Sequence, residues 1–180
     1  MADEHPDDAR TRFEALAAEV VEPVRRFLAR RTDPDTAEDV LAETLLVCWR
    51  RLDQVPEHAL PWVYGVARNC LANIQRGDRR QVRLAARISV VDPPDEIARE
   101  TAEPDERVSA ALAAMRAEEA ELLRLWAWEQ LGPGEIAEVL GVTPNAASIR
   151  LHRARGKFVE ELRKIDAGAG HEGVREGREP

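Results

Sequence analysis

Asn145, Ser148, His152 and Arg153 follow one another at spacings that a helix brings onto one face. Their amide, hydroxyl, imidazole and guanidinium groups are the donors and acceptors that read base edges and hold phosphates. Ile149 shares the outward side, and Arg150 and Arg155 flank it. Ile149 has two readings: it meets a thymine methyl in a groove, or it packs inside. A second basic cluster lies upstream, where Arg68, Arg76, Arg79, Arg80, Arg83 and Arg87 are interrupted by a single acid, Asp78. Both clusters have the character of phosphate-binding surfaces.

These patches stand out against an acidic chain. The formal net charge is -8 over 180 residues, which argues against a protein that coats nucleic acid without selection, because such binding rests on neutralising many phosphates. Other chemistries lack their residues. His5, His58, His152 and His171 are scattered, Cys48 and Cys70 are too far apart for a CxxC motif, and no glycine-rich phosphate loop or nucleophile motif occurs. Neither a catalytic site nor a cofactor is expected. The N-terminus, Met-Ala-Asp-Glu-His-Pro-Asp-Asp, has no apolar stretch suited to a signal peptide, and no run approaches the ~20 apolar residues of a membrane span. Two cysteines inside predicted helices read as buried, reduced side chains in a cytoplasmic setting.

The elements that must position the two patches are helical throughout, so the expected class is all-α, with two small helical domains joined by an acidic linker. A first helix is predicted from Thr11 to about Arg31, with Phe13, Leu16, Val20, Val24, Phe27 and Leu28 along one side. A second follows to about Leu52, with Asp35 or Thr36 as its N-cap. A third starts near Pro61, carries Trp62, Val63, Val66, Ala67 and Leu71 inward, and ends in the arginine cluster. Residues 89–106 hold seven acids and three prolines against Arg99, and read as the linker. Beyond it, helices are expected over residues 108–115 and 117–128. Trp126 and Trp128 cannot both enter one core, so one supports the next motif from beneath and the other faces a partner.

That motif is a helix-turn-helix over residues 134–155. Ile136, Ala137 and Leu140 face inward from its first helix, Gly141 takes the left-handed turn, and Pro144 suits the first position of the second helix. Ala147, Leu151 and Ala154 form the buried stripe of that second helix. Residues 1–10 and 165–180 are polar and are expected to be disordered tails.

Three separated segments resemble the extracytoplasmic-function (ECF) sigma factors of bacterial RNA polymerase, within the sigma-70 family. Asp35-Thr-Ala-Glu-Asp-Val-Leu-Ala-Glu-Thr44 with Cys48-Trp49-Arg50 is similar to that family's clamp-binding helix. Pro61-Trp-Val-Tyr-Gly-Val-Ala-Arg-Asn69, followed by Arg76, Arg79, Arg80 and Arg83, resembles its minus-ten reader, and residues 134–155 its minus-thirty-five reader. The resemblance spans about residues 11–163. It implies a domain over 11–88 for polymerase docking and minus-ten recognition, and a domain over 107–164 for minus-thirty-five recognition.

By the same resemblance, Asp35, Glu38, Asp39, Glu43, Trp49 and Arg50 contact polymerase, and Arg68 and Asn69 join Arg76, Arg79, Arg80 and Arg83 at the minus-ten element. Asn69 can equally cap a backbone group. The segment 51–62 matches the pocket for an unstacked base, although Trp62 also fits the core beside Val66. The implied partners are core RNA polymerase, duplex and locally melted promoter DNA, and an anti-sigma factor, with no membrane insertion. The family's linker lies in the RNA path of the polymerase. The competing function is a stand-alone helix-turn-helix regulator with a sensing or dimerising N-terminal domain, which has no need of a second arginine-rich helix.

Overall fold

The computed structural model describes residues 6–86 and 105–172, with side chains over 7–77 and 105–167. Every regular element among the described residues is helical: α1 (Pro6–Ala29), α2 (Pro34–Arg50), α3 (Ala59–Ala86), α4 (Glu106–Ala114), α5 (Ala117–Ala127), α6 (Pro133–Leu140) and α7 (Pro144–Glu172), with a single 3-10 turn at Leu52–Gln54. The chain divides into two compact units, Met1–Arg99 and Glu100–Pro180.

In the first unit α1, α2 and α3 pack pairwise against one another. Leu16, Val20, Val24, Phe27 and Leu28 form the buried side of α1, and Val40, Leu41 and Cys48 that of α2. Phe27 and Tyr64 stack at 5.0 Å between ring centroids. Each such buried apolar side chain contributes about 1.5–3 kcal/mol. Thr44, fully buried, donates its hydroxyl to the Val40 carbonyl oxygen at 2.7 Å, so its polar atom enters the core already paired. Cys48 lies in the same core, where burial pushes its thiol up to about 11.

Several boundaries differ from those expected. The first helix starts at Pro6 rather than Thr11: Pro6 suits a first turn, Asp7 and Asp8 favour the positive end of the helix dipole, and the Thr11 hydroxyl donates to the Asp7 carbonyl oxygen at 2.9 Å. The N-cap of α2 is Asp33, not Asp35 or Thr36. Its carboxylate accepts the Thr36 N–H at 2.9 Å while Pro34 occupies the first turn, and that bond holds the carboxyl below its usual range. In α3 the inward row is Ala59, Val63, Tyr64, Ala67, Cys70 and Leu71, whereas Trp62 and Val66 are half-buried. Tyr64 takes the inward place because Phe27 offers it a ring to stack on.

The second unit assembles α4, α5 and α6 on α7. Leu112, Leu122, Leu123, Leu125, Ile136 and Val139 meet Ala147, Leu151 and Ala154 in its core. Leu140, expected inside, is half-buried, and Val139 is buried instead. Asp105 and Glu106 belong to the start of α4, where the Asp105 carboxylate accepts the Arg107 N–H at 3.1 Å, rather than to a linker. The proposed linker is otherwise outside the described residues, as are residues 1–5 and 173–180 of the expected tails. The other residues expected as tails are helical: 6–10 open α1, and 165–172 continue α7, which Arg107 joins to α4 through an ion pair with Asp166.

Candidate nucleic-acid interface

Two turns set the geometry of α6 and α7. Gly141 sits at φ +64°, ψ +38°, its N–H reaching the Glu138 carbonyl oxygen at 3.3 Å and the Val142 N–H that of Ala137 at 3.0 Å. This left-handed closure is what glycine permits without a Cβ penalty. Thr143 then caps α7, accepting the Ala146 N–H on its hydroxyl at 3.2 Å. The turn before α6 is less expected. Gln130 adopts φ +57° without being glycine, and the Leu131 N–H returns to the Leu125 carbonyl oxygen at 3.1 Å. Glu135 then folds back to accept the Gly132 N–H at 2.7 Å, satisfying one orphan donor of α6.

With Ala147, Leu151 and Ala154 buried, the helical period turns Asn145, Ser148, Ile149, His152 and Arg153 to solvent on α7, and all five are exposed. Ile149 is 45% exposed, which leaves the groove-facing reading and removes the core one. Arg150, Arg153 and Arg155 are exposed as well, and among the described residues none has a carboxylate partner. Further along α7 the arrangement changes: Lys157 pairs with Glu119 of α5, and Lys164 with Glu161 at 2.7 Å. Uncompensated charge is therefore concentrated on the half of α7 that bears the polar reading row. A helix so equipped can enter a major groove with amide, hydroxyl and imidazole groups toward base edges and guanidinium groups toward phosphates.

Trp126 in the last turn of α5 and Trp128 at its C-cap do something other than fill a core. Trp126 is exposed and Trp128 half-buried, and each faces an arginine: Arg155 lies over Trp126 at 4.6 Å and Arg124 over Trp128 at 5.9 Å. Neither tryptophan supports α6 and α7 from a buried position beneath them. Spacing could not reveal the Trp126–Arg155 pairing, because the two sit on different helices, whereas Arg124 and Trp128 are four residues apart in one segment.

In the first unit, Trp62, Val66, Asn69, Asn73 and Arg76 follow at spacings of four, three, four and three, one continuous row of α3 whose first two members are half-buried and the rest exposed. Arg76 donates to the Asn73 side-chain oxygen, and Arg68 is half-buried beside the row. The backbone of α3 continues through Arg79, Arg80 and Arg83, but their side chains lie outside the described ones. Asn73, which stands where the resembling family commonly has Asp, was given no site role from the sequence; its position four residues after Asn69 was the available signal.

The outer face of α2 carries Asp35, Glu38, Asp39, Glu43, Trp49 and Arg50, all exposed. Leu46, 40% exposed, completes this face between Glu43 and Trp49 and was missed because it reads as core by type. Trp49 contacts Phe13 of α1 edge to face at 5.2 Å, and Glu38 pairs with Arg25 of α1 at 3.0 Å. The face thus runs from acidic to apolar and basic. Among the described residues no three His, Cys, Asp or Glu side chains converge as metal ligands, and no helix is long and apolar enough to cross a membrane.

A chain whose described elements are all helical, and whose second unit presents an exposed arginine face without carboxylate partners beyond a glycine turn, has the form of a helix-turn-helix DNA reader. Comparison with known proteins narrows this. Residues 105–158 match the family model for sigma-70 region 4. The chain is 30% identical over 142 residues to the ECF RNA polymerase sigma factor SigL of Mycobacterium tuberculosis, which covers 72% of this chain and 76% of that one. The chain belongs to the ECF RNA polymerase sigma factors. It is also 29% identical over 144 residues to a probable RNA polymerase sigma factor, RfaY, of Xanthomonas campestris; that match covers 75% of this chain but spans only 36% of the relative's length. Its fold is similar to that of the sigma factor RpoE from Bartonella quintana, solved with the anti-sigma factor NepR, at a TM-score of 0.62 and 21% identity, over 84% of this chain and 96% of that one.

Proposed function

We propose that this chain docks on core RNA polymerase and directs it to promoters through two DNA elements, helping to open the nearer one. The observation that carries this reading is the reading row of α7 beside Arg150, Arg153 and Arg155, none of which has a carboxylate partner among the described residues. Asn145, Ser148, Ile149 and His152 read base edges of the minus-thirty-five element, and the arginines hold its backbone or a guanine, a bidentate contact being worth about 1–3 kcal/mol of discrimination. The α3 row and the arginines that follow it bind the minus-ten element. There, half-buried Trp62 is available for stacking against an unpaired base. The outer face of α2 docks on the polymerase, with Leu46 and Trp49 supplying apolar area and the acids setting orientation.

The chemistry of polymerisation belongs to the polymerase, so the chain itself is not an enzyme and needs no cofactor. It works in the cytoplasm and is open to restraint by an anti-sigma factor. Run-off transcription on random-sequence templates, with and without this protein added to core polymerase, tests the reading: initiation from a subset of templates is expected. Tight binding of the isolated chain to a palindromic duplex without any gain in initiation would favour a stand-alone regulator. Within the working holoenzyme, Arg150→Ala is expected to weaken promoter selection while polymerase binding in a pull-down is retained.

A further inference from the structure

Trp126 has no role in the DNA and polymerase contacts proposed above, yet it is 40% exposed at the end of α5. Its indole lies beneath the Arg155 guanidinium, 4.6 Å from ring centroid to guanidinium carbon. The pair forms the shared wall of two surface grooves, one running toward Phe158 and Val159 and the other toward Leu131 and Leu151. Open space therefore adjoins the pair on both sides. Helical spacing puts Arg155 next to Ser148 and His152, at the margin of the reading row. Lys157, two residues on, is held by Glu119, whereas among the described residues no carboxylate holds Arg155.

We propose that Trp126 is a positioning residue for DNA recognition: its ring holds the Arg155 guanidinium at the edge of the reading row, where its N–H groups meet a backbone phosphate. This rests on the reading of α7 as the promoter-reading helix. A guanidinium stacked through its face keeps its in-plane N–H donors available, so one side chain can engage ring and phosphate together. An unsupported arginine must be ordered at the moment of binding, and the stack meets part of that cost beforehand. Tryptophan is the ring best suited to it. Trp126 itself touches no DNA in this role.

The test uses the full chain bound to core RNA polymerase and a promoter fragment that the wild type enriches from a random-sequence pool. Binding is followed by fluorescence anisotropy across a salt series for wild type, Trp126→Leu, Arg155→Ala, the double variant and Trp126→Phe. Arg155→Ala is expected to lower affinity and to reduce the log–log salt slope by about 0.9, one phosphate contact. Trp126→Leu is expected to weaken binding about 2- to 5-fold, the range of an exposed cation–π contact. It should cause no further loss once Arg155 is alanine, and Trp126→Phe should restore most of the affinity. Equal losses from Trp126→Leu in both backgrounds, as a merely structural tryptophan gives, would overturn the proposal, as would an unchanged salt slope in Arg155→Ala. If the wild type enriches no fragment, the initiation reading fails and this role fails with it. Enrichment followed by an additive cycle removes the role of Trp126 alone.

Discussion

Gly141 and Gln130 occupy the same left-handed backbone region in the same unit, at φ +64° and +57°, yet only one is glycine, so substitutions at the two are expected to act with opposite sign. A Cβ at Gly141 would have nothing within 4 Å, so packing adds no penalty and the cost is conformational. For an L-residue that cost is about 1–2 kcal/mol, against which Gly→Ala recovers part by restricting the unfolded chain. We therefore expect Gly141→Ala to cost about 1 kcal/mol, Gly141→Val about 2 kcal/mol, and Gly141→Asn a few tenths, since Asn tolerates this region. Gln130→Gly relieves a similar strain and is expected to leave stability unchanged or raise it by up to about 1 kcal/mol. In a domain of this size, 1 kcal/mol moves Tm by roughly 4–8 °C. Differential scanning calorimetry of the full chain reads these shifts in the transition of the second unit. Equal losses for Asn, Ala and Val at position 141, or a clear loss from Gln130→Gly, would refute the conformational argument.

Three further outcomes follow from the first unit. Phe27→Ala, which removes a fully buried ring stacked on Tyr64, is expected to cost about 3–5 kcal/mol, lowering one calorimetric transition and leaving that of the second unit in place. Asp33→Ala should cost about 1 kcal/mol through loss of the α2 cap. Because the folded carboxyl is lowered from its usual 3.8, the cap's contribution is complete above that value and disappears as pH falls through the lower folded pKa, so urea midpoints of wild type and variant should converge in acid. Cys48, raised from 9.0 to about 11 chiefly by burial, should resist thiol reagents at pH 8 in the native chain. Its raised pKa makes the associated stability complete below pH 9 and lost as pH rises toward about 11, by about 3 kcal/mol at most, a loss that Cys48→Ala should not show.

Local stereochemistry explains which features were legible in the amino-acid order. Gly141 and Pro144 mark their turn because few residues can occupy those backbone positions, and Ala147, Leu151 and Ala154 mark the buried side of α7 because apolar residues at helical spacing share one face. The exposed row from Asn145 to Arg153 follows from the same period. The α2 face was readable through its charges, but Leu46 was not, since an apolar residue carries no mark of exposure until its neighbours are known. The Asp33 cap was misplaced by two or three residues because Asp33, Asp35 and Thr36 are all competent caps, and only the backbone at Asp33, with ψ at 162°, distinguishes them.

The amino-acid order alone determined that the described elements are helical and where the helix-turn-helix lies, because each depends on residue type within a turn or two of helix. Tertiary structure decided the rest. It put Tyr64 rather than Trp62 into the core by offering Phe27 as a partner, and left Trp62 in a row with Asn69, Asn73 and Arg76. It also turned Trp126 toward Arg155, a residue from another helix. Such contacts depend on how separate helices meet, and no spacing within one segment encodes the choice among neighbours that packing makes.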